Sequence, residues 1–407
     1  MHLLNRSGLR LAGIVTVSLA ILGGLTLMLY RQRQPAAHFA AGWQALQAND
    51  LQSLRTHAAA LKDVVGFEPQ AHLLKGALLL RTGLFAESVG EFTEAANDPA
   101  VRRDALTLGG EALYKLGRFG DAEMILEKAI ALDPVNVEAQ RWLAAAYYDT
   151  GAVFNAIEHL KKVAELAPRD GRPHRLMGLI RKDGEQFKLA IADYRESLSR
   201  DPHPADEEQI RVELAESLLR DLQHAAARDA VATCNDSPPV LTIRAQCQLK
   251  DGQPEAARAL LEQALKADSD FLPALLLGGT LWLDAGQADR AAQILKHAAA
   301  RHPHDFTVRQ KLAQAYHRLG KKELAEQEVA RAEAEKKLRR EFTDLHEQAA
   351  TNPRDAALRF RLGQTASALD EPELARMWFR AALALDPKFD TARQALNELS
   401  PIPAPGG

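Results

Sequence analysis

Cysteine is scarce in this chain, and its scarcity excludes two kinds of stabilising site. The 407 residues include 2 cysteines, too few for a disulfide framework or for a zinc site made of four thiolates. An excess of charge is also missing, because 51 Lys and Arg stand against 54 Asp and Glu. A nucleic-acid-binding protein normally carries a basic excess or a basic stripe, so we expect no nucleic-acid partner.

Strand patterns and catalytic motifs are absent as well. Long alternating segments are missing, and most of the 19 prolines fall between helical blocks, which predicts an all-α fold. No G-x-G-x-x-G, P-loop, H-E-x-x-H or G-x-S-x-G motif occurs. His302 and His304 resemble a metal ligand pair, but no third ligand is near in sequence, and we interpret them as part of a solvated turn. We therefore expect no enzymatic activity, cofactor or metal.

Residues 11–30, LAGIVTVSLAILGGLTLMLY, form an uncharged run of hydrophobic character. Twenty helical residues span about 30 Å, the thickness of a bilayer core. A cleaved signal peptide is the alternative, but its apolar run is usually about 7–15 residues and ends at a small-x-small site. Here the run ends in Arg31-Gln-Arg33-Gln-Pro35, which favours an uncleaved transmembrane helix.

The charges beside this run give a weak signal for orientation. Arg6 and Arg10 precede it, and Arg31 and Arg33 follow it. Together with the amino terminus, they slightly favour a cytoplasmic N-terminus under the positive-inside rule. We expect a single-pass protein of a bacterial inner membrane with the larger C-terminal part outside the cytoplasm.

An internal repeat dominates the remaining chain. A small residue followed four positions later by a large apolar residue recurs nine times, with gaps of 34, 34, 34, 37, 30, 34, 34 and 50 residues. The small residues are Ser88, Ala122, Ala156, Ala190, Ala227, Ala257, Ala291, Ala325 and Ala375. A recurring period near 34 indicates a repeat protein whose units stack to cover one another's apolar faces.

One repeat is nearly complete in its further residues: Leu143-Ala144-x2-Tyr147, Gly151, Ala156-x3-Leu160 and Pro168. On these residues and their recurrences, the chain resembles the tetratricopeptide repeat (TPR) family from about Pro69 to Ser400. The resemblance implies two antiparallel helices per repeat and a right-handed α-solenoid whose first helices line a groove. Glycines 117, 151, 286 and 320 are expected to end first helices, and prolines 134, 168, 202, 303 and 387 to end second helices.

The pattern divides the chain into seven segments. They are a short N-terminal segment (1–10), the transmembrane helix (11–30), a linker with a degenerate first repeat or cap (31–68), the TPR solenoid (69–339), an extended helix end and turn (340–355), the last repeat with a capping helix (356–400) and a disordered tail (401–407). Small residues at Gly110, Ala144, Gly178, Gly279, Ala313 and Gly363 are expected where paired helices approach closely. Irregular spacing predicts an irregular region at 203–239.

The widest gap predicts a long second helix over 323–350, protruding about 24 Å past its neighbours. Its apolar residues Leu338, Phe342, Leu345 and Ala349 are spaced 4, 3 and 4 apart. They fit a spacer packed on the last repeat, or alternatively a short dimer seam. Cys234 and Cys247 are expected to stay unbridged because their axial offset is about 10 Å, beyond the reach of a disulfide.

The resemblance also suggests a binding surface on the first helices. Tyr114, Arg141, Tyr148, Arg175 and Lys182 project from them on the non-stacking side, and large Tyr and Arg side chains are common interface anchors. A plain solvated face is the alternative interpretation. The cations suggest an acidic or carboxylate-ended peptide, and changing Arg141 and Arg175 to Ala is expected to weaken binding without unfolding, more than changes at Arg359 and Arg361.

Two functions fit these features. One is a non-catalytic, membrane-anchored scaffold that binds a peptide or partner protein in the TPR groove. The other is an accessory subunit that presents substrate to an envelope system such as cytochrome c maturation or exopolysaccharide secretion. The sequence does not identify the partner.

Overall fold

A computed structural model describes residues 34–150, 152–200, 204–352 and 354–399, and all regular secondary structure within these ranges is helical. The predicted all-α repeat fold is therefore confirmed for this part of the chain. The N-terminal segment (1–10), the predicted transmembrane helix (11–30) and the predicted disordered tail (401–407) lie outside it. In the ranges described, no helix is both long enough and apolar enough to cross a bilayer.

The helices follow one another as antiparallel pairs. They are α1 (34–47), α2 (Leu51–Leu61), α3 (Glu68–Arg81), α4 (Phe85–Ala95), α5 (Arg102–Lys115), α6 (Phe119–Leu132), α7 (Val137–Asp149), α8 (Val153–Leu166), α9 (Arg172–Asp183), α10 (Phe187–Ser199), α11 (Pro204–Arg220), α12 (His224–Ala230), α13 (Pro238–Lys250), α14 (Pro254–Ala267), α15 (Leu272–Asp284), α16 (Ala288–Arg301), α17 (Phe306–Arg318), α18 (Lys322–Thr351), α19 (Ala356–Ala368), α20 (Pro372–Leu385) and α21 (Asp390–Glu398). Odd-numbered helices up to α19 are the first helices of their pairs.

The helices form two compact units, divided within α7 near residues 139 and 140. In the first unit, α1 to α6 bury Leu54, Leu74 and Phe92 among other apolar side chains. In the second unit, local cores follow one another along the helices, from α7–α9 through α10–α13 and α13–α17 to α18–α21. Each of these cores includes side chains from more than one helix pair, so neighbouring pairs stabilise one another.

Close approach of the paired helices depends on a small residue facing a large one 16 positions later. A Cβ atom on Gly178 would lie 2.8 Å from the Tyr194 ring, and one on Gly363 would lie 2.5 Å from the Phe379 ring. The described pairs are 76/92, 110/126, 144/160, 178/194, 215/231, 245/261, 279/295, 313/329 and 363/379. In these nine pairs an aromatic residue always faces glycine, whereas alanine faces Leu or Val. The volume available to the two side chains together is therefore limited, and the largest residues need the smallest partner.

The turns within the pairs follow the predicted chemistry. Gly117, Gly286 and Gly320 have φ values of 71–73°, a left-handed conformation that costs glycine little. Gly151 lies outside the described residues. In the turn between α9 and α10, the residue with a left-handed φ value is Glu185. Helices α6, α8, α16 and α20 each end two residues before the predicted proline, as expected from the restriction that proline places on the residue before it.

The region predicted to be irregular contains unequal helices. Helix α11 has 17 residues and α12 has 7, whereas α8 and α14 have 14 each. Cys234 lies in the turn after α12, because α12 stops at Ala230. Both thiols are free, as expected. Burial raises the pKa of Cys247 and of Cys234, which lowers their reactivity near neutral pH.

Helix α18 is continuous over 30 residues, as predicted, and extends past α17, which has 13. Its C-terminal half packs on α19 and α20, where Leu345 and Ala349 are buried with Leu362 and Trp378. Phe342 packs against the same core. The apolar stripe is thus covered within the chain, which supports the spacer interpretation over the dimer seam.

The fit between positions 178 and 194 generates a stability prediction. Gly178→Ala is expected to lower the free energy of unfolding by about 1–3 kcal/mol, because the new methyl group overlaps a fully buried tyrosine ring. Urea denaturation followed by circular dichroism measures it. Tyr194→Leu should recover part of the loss in the Gly178→Ala background, since Leu faces alanine at 144/160 and 245/261.

Gly90→Ala is the matched control, since Gly90 is exposed on α4 and, apart from its chain neighbours and the adjacent backbone of its own helix, no atom lies within 4 Å of the new methyl group. It should raise stability by about 0.5–1 kcal/mol through helix propensity alone. Equal effects of the two alanine substitutions would contradict the packing argument.

Candidate peptide-binding surface

Side chains on successive first helices of the second unit are joined by polar contacts. The Tyr148 hydroxyl on α7 donates to Asp183 Oδ2 on α9 at 2.9 Å. Lys182 Nζ on α9 donates to Glu216 Oε2 on α11 at 3.0 Å. The first-helix surface is defined here as the side of α7, α9 and α11 that carries these residues, together with the adjoining side of α13. From α7 to α11 it is a connected polar strip rather than a set of separate side chains.

Arg175 makes the strongest of these contacts. Its Nε and Nη2 donate to the two carboxylate oxygens of Glu213 at 3.0 and 2.7 Å, and Asp206 lies 3.7 Å from it. The hydrogen bonds to Glu213 raise the pKa of Arg175, so its guanidinium stays protonated and positively charged. Only 19% of the Arg175 side chain is exposed. A bidentate pair of this kind stabilises the α9–α11 junction more than a simple surface ion pair would.

Tyr148 combines an exposed ring with a held hydroxyl. The residue is 40% exposed, while burial of the hydroxyl, followed by its hydrogen bond to Asp183, raises its pKa to about 12. The hydroxyl therefore stays protonated at physiological pH and acts as a donor. The ring face is available to a ligand as an aromatic contact surface.

Arg141 and Tyr114 occupy different settings. Arg141 Nη2 donates to Asp170 Oδ2 at 2.7 Å, at the turn before α9. Burial alone would raise the pKa of Asp170, but its bonds to Arg172 and the nearby Arg141 charge hold that pKa below its usual value.

Tyr114 is partly buried on α5 in the first unit. The structure therefore brings Arg141, Tyr148, Arg175 and Lys182 together in one unit, and Tyr114 belongs to the other.

The sequence reasoning missed the carboxylates that accept these bonds. The local excess of positive charge that it inferred is offset by Asp170, Asp183, Glu213 and Glu216. A signal was available, because Glu216 follows Lys182 by 34 residues and Asp183 follows Tyr148 by 35. One repeat length places two side chains on adjacent first helices, so complementary residues at that spacing predict a contact.

Two substitutions suggested by the sequence are unsuitable for testing binding. Removing Arg175 would leave the buried Glu213 carboxylate without its two donors, so loss of stability would accompany any loss of binding. Arg359, whose substitution was expected to affect binding less, is buried and donates to the Asn352 carbonyl oxygen at 2.7 Å. Arg361 is about half exposed and remains a valid control.

A cleft of about 310 Å³ opens between the first helices α9, α11 and α13 and the start of α15. Its lining mixes apolar and polar side chains: Lys182, Glu216, Leu219, Arg220, Pro239, Thr242, Ile243, Gln246, Phe271 and Pro273. Lys182 is the one member of the predicted set that lines it. Apolar walls with a few hydrogen-bonding groups are typical of small binding sites.

Arg220 supplies an exposed cation beside this cleft. Its guanidinium lies over the Phe187 ring, 5.1 Å from the centroid, and its nearest carboxylate, Glu185, is 3.8 Å away. Both partners of that ion pair are more than half exposed. Such a weak pair leaves Arg220 available to a ligand.

The two histidines considered as metal ligands have other roles. His302 Nε2 lies 2.9 Å from the Asp270 carbonyl oxygen, and His304 Nδ1 lies 2.8 Å from Glu335 Oε1. Both histidines lie in the turn between α16 and α17, as predicted, and both are partly buried there. In the part of the chain that the structure describes, no three His, Cys, Asp or Glu side chains are placed to hold a metal ion.

Comparison with known proteins supports the repeat assignment. Family models for tetratricopeptide repeats match residues 107–171, 238–271, 283–348 and 356–389. These matches confirm that the chain carries tetratricopeptide repeats.

Individual relatives are distant. A DnaJ protein P58IPK homolog A of Oryza sativa is 25% identical over 258 residues, which are 62% of this chain and 43% of that protein. Hsp70-Hsp90 organizing protein 1 of Glycine max is 27% identical over 106 residues, 26% of this chain and 18% of that protein. The chain spans less than half the length of the curated relatives it matches.

Among solved structures, a tetratricopeptide repeat protein from Parabacteroides merdae aligns with a TM-score of 0.47 and 15% identity, covering 61% of this chain and 99% of that one. The Cut9-Hcn1 hetero-tetramer of the APC/C aligns with a TM-score of 0.40 and 13% identity, covering 90% of this chain and 84% of that one.

Proposed function

We propose that the chain is a non-catalytic, membrane-anchored scaffold that binds a peptide segment of a partner protein along its first-helix surface. The observation that carries the proposal is the cleft between α9, α11 and α13, where apolar walls stand beside Lys182 and Arg220. Tetratricopeptide repeats present their first helices along one side.

The residues proposed to contact the partner are those predicted from the sequence: Tyr114, Arg141, Tyr148, Arg175 and Lys182. Lys182 touches the ligand in the cleft, and the exposed ring of Tyr148 extends the surface toward α7. Arg141 and Arg175 hold the first helices in register through Asp170 and Glu213. Tyr114 is a proposed contact on α5 of the first unit.

An acidic or carboxylate-ended peptide is the proposed ligand class. Glu216 is about half exposed, so its ion pair with Lys182 contributes little free energy. A ligand carboxylate can therefore take the place of the Glu216 carboxylate beside Lys182. The same carboxylate, or a second one, reaches the exposed guanidinium of Arg220. Affinity is modest and decreases with salt, because both cations stay partly solvated.

The proposed anchor is residues 11–30, with the repeats outside the cytoplasm of a bacterial cell. Protein extracted from membranes should retain its original N-terminus when sequenced, and alkaline carbonate should not release it, because about 20 apolar residues insert stably. A mature start near residue 43, or recovery in the soluble fraction after a salt wash, would contradict anchoring. In this setting the scaffold fits an accessory role in envelope biogenesis.

Peptide selection tests the binding proposal. A random 12-residue display library selected against the full-length protein should enrich acidic sequences. The double variant Lys182→Ala and Arg220→Ala should weaken an enriched peptide at least tenfold, since each charge-assisted contact contributes about 1–2 kcal/mol. Fluorescence anisotropy measures the affinity, and hydrogen exchange should show protection in α9, α11 and α13.

Arg361→Ala provides the control, because Arg361 is exposed on α19 far along the chain from the cleft. It should leave the affinity unchanged. Selected peptides that protect only second helices, or that bind the Lys182→Ala and Arg220→Ala variant equally well, would exclude the first-helix surface as the binding site.

A further inference from the structure

Val329 breaks a regularity in the packing of the repeats. The residue 16 positions after each small first-helix residue is at most 3% exposed in eight described repeats, from Phe92 and Leu126 to Leu295 and Phe379. Val329 occupies the same position opposite Ala313 and is 49% exposed. One repeat therefore lacks the cover that the others have.

The continuation of α18 explains the missing cover. In the preceding repeats, the next first helix packs against the second helix, as α17 packs on α16 with Val308 and Leu312 against Leu295. Helix α18 instead runs on to Thr351, and α19 packs against its far half. His304 marks the transition, because it contacts Glu335 midway along α18 and lies 4.0 Å from Asp370 after α19.

An open trough remains between α17 and the N-terminal half of α18. The α17–α18 trough is lined by Gln310, Ala313, Gln314, His317, Lys322, Ala325, Glu326, Val329, Ala330, Ala332 and Glu333. On each helix these residues recur at three- and four-residue spacing and so share a face. The trough measures about 930 Å³ and about 17 Å along α18 from Lys322 to Glu333.

We propose that the α17–α18 trough binds an amphipathic α-helix of a partner protein, which takes the place of the missing first helix. The neighbouring α16–α17 junction shows the type of occupant, because there the same kind of surface, Ala291 and Leu295, is covered by a helix of 13 residues. Ala313, Ala325 and Ala330 give the floor small side chains, which allow a helix to approach closely. Val329 provides the central apolar contact.

The charge along the trough selects a basic helix. In the part of the chain described, Glu328 is paired with Arg309 and Arg331. Glu326 and Glu333 are instead exposed and line the trough seven residues apart. Two carboxylates at that spacing match cations two turns apart on the bound helix. This site is separate from the cleft between α9, α11 and α13, and it does not depend on the proposed peptide function.

A peptide of residues 305–320 is a suitable probe, since it is the α17 segment that covers the equivalent surface and it carries Arg309, Lys311 and Arg318. Made as a fluorescein-labelled, hydrocarbon-stapled helix, it is titrated into the full-length protein and followed by anisotropy. Saturable binding is expected. Val329→Arg should weaken it at least tenfold, because a guanidinium replaces the central apolar contact.

Leu324→Arg is the matched control, because Leu324 is on the same helix and 42% exposed but does not line the trough. It should leave the affinity unchanged. The double variant Glu326→Lys and Glu333→Lys, which alters exposed positions only, should also weaken the peptide and keeps the test valid if Val329→Arg misfolds.

Three results would overturn the proposal. One is no binding up to about 1 mM peptide, and another is equal binding by the Val329→Arg and Leu324→Arg proteins. The third is strong hydrogen-exchange protection of 310–333 in the free protein. Light scattering would then distinguish a second copy in the trough, which gives a dimer, from another segment of the same chain, which gives a monomer.

Discussion

The close approach of two helices at a small residue is the constraint on which the rest of the structure depends. Where Gly178 faces Tyr194, no space remains for a methyl group, and the backbones are held at a fixed separation by the ring between them. Because one pair cannot cover its own apolar face, that separation also fixes where the next pair packs. The first helices consequently come into register, and contacts such as Arg175 with Glu213 become possible.

This register determines the chemistry of the exposed side. Neighbouring first helices exchange hydrogen bonds between Tyr148 and Asp183, and between Lys182 and Glu216, so much of the charge on this side is already neutralised. What remains for a ligand is an apolar cleft with a few accessible polar groups. A surface of this kind favours recognition of a short segment by shape and a small number of charges over binding driven by net charge.

The repeat period made most of the fold predictable from the sequence. Helix pairs, the glycine turns at Gly286 and Gly320, and the helix ends before proline all follow from local chemistry that recurs at a constant spacing. The candidate residues were placed on the first helices correctly, but their carboxylate partners were not foreseen, because such contacts join residues one repeat apart. For α18, the long helix was predicted, and of the two interpretations of its apolar stripe the structure supports the spacer. Periodicity predicts a long helix, whereas its packing depends on α19 and α20, which follow in sequence.

One packing rule is central to these conclusions: within each of the two units, a second helix is covered by the next first helix, except where α18 continues past it. Thiol labelling of the full-length protein with both native cysteines replaced tests this directly, by comparing Val329→Cys with Leu295→Cys at equivalent positions. The Val329→Cys thiol should react about 100-fold faster, since position 295 reacts only when the repeat opens. Equal labelling rates at the two positions would contradict the rule.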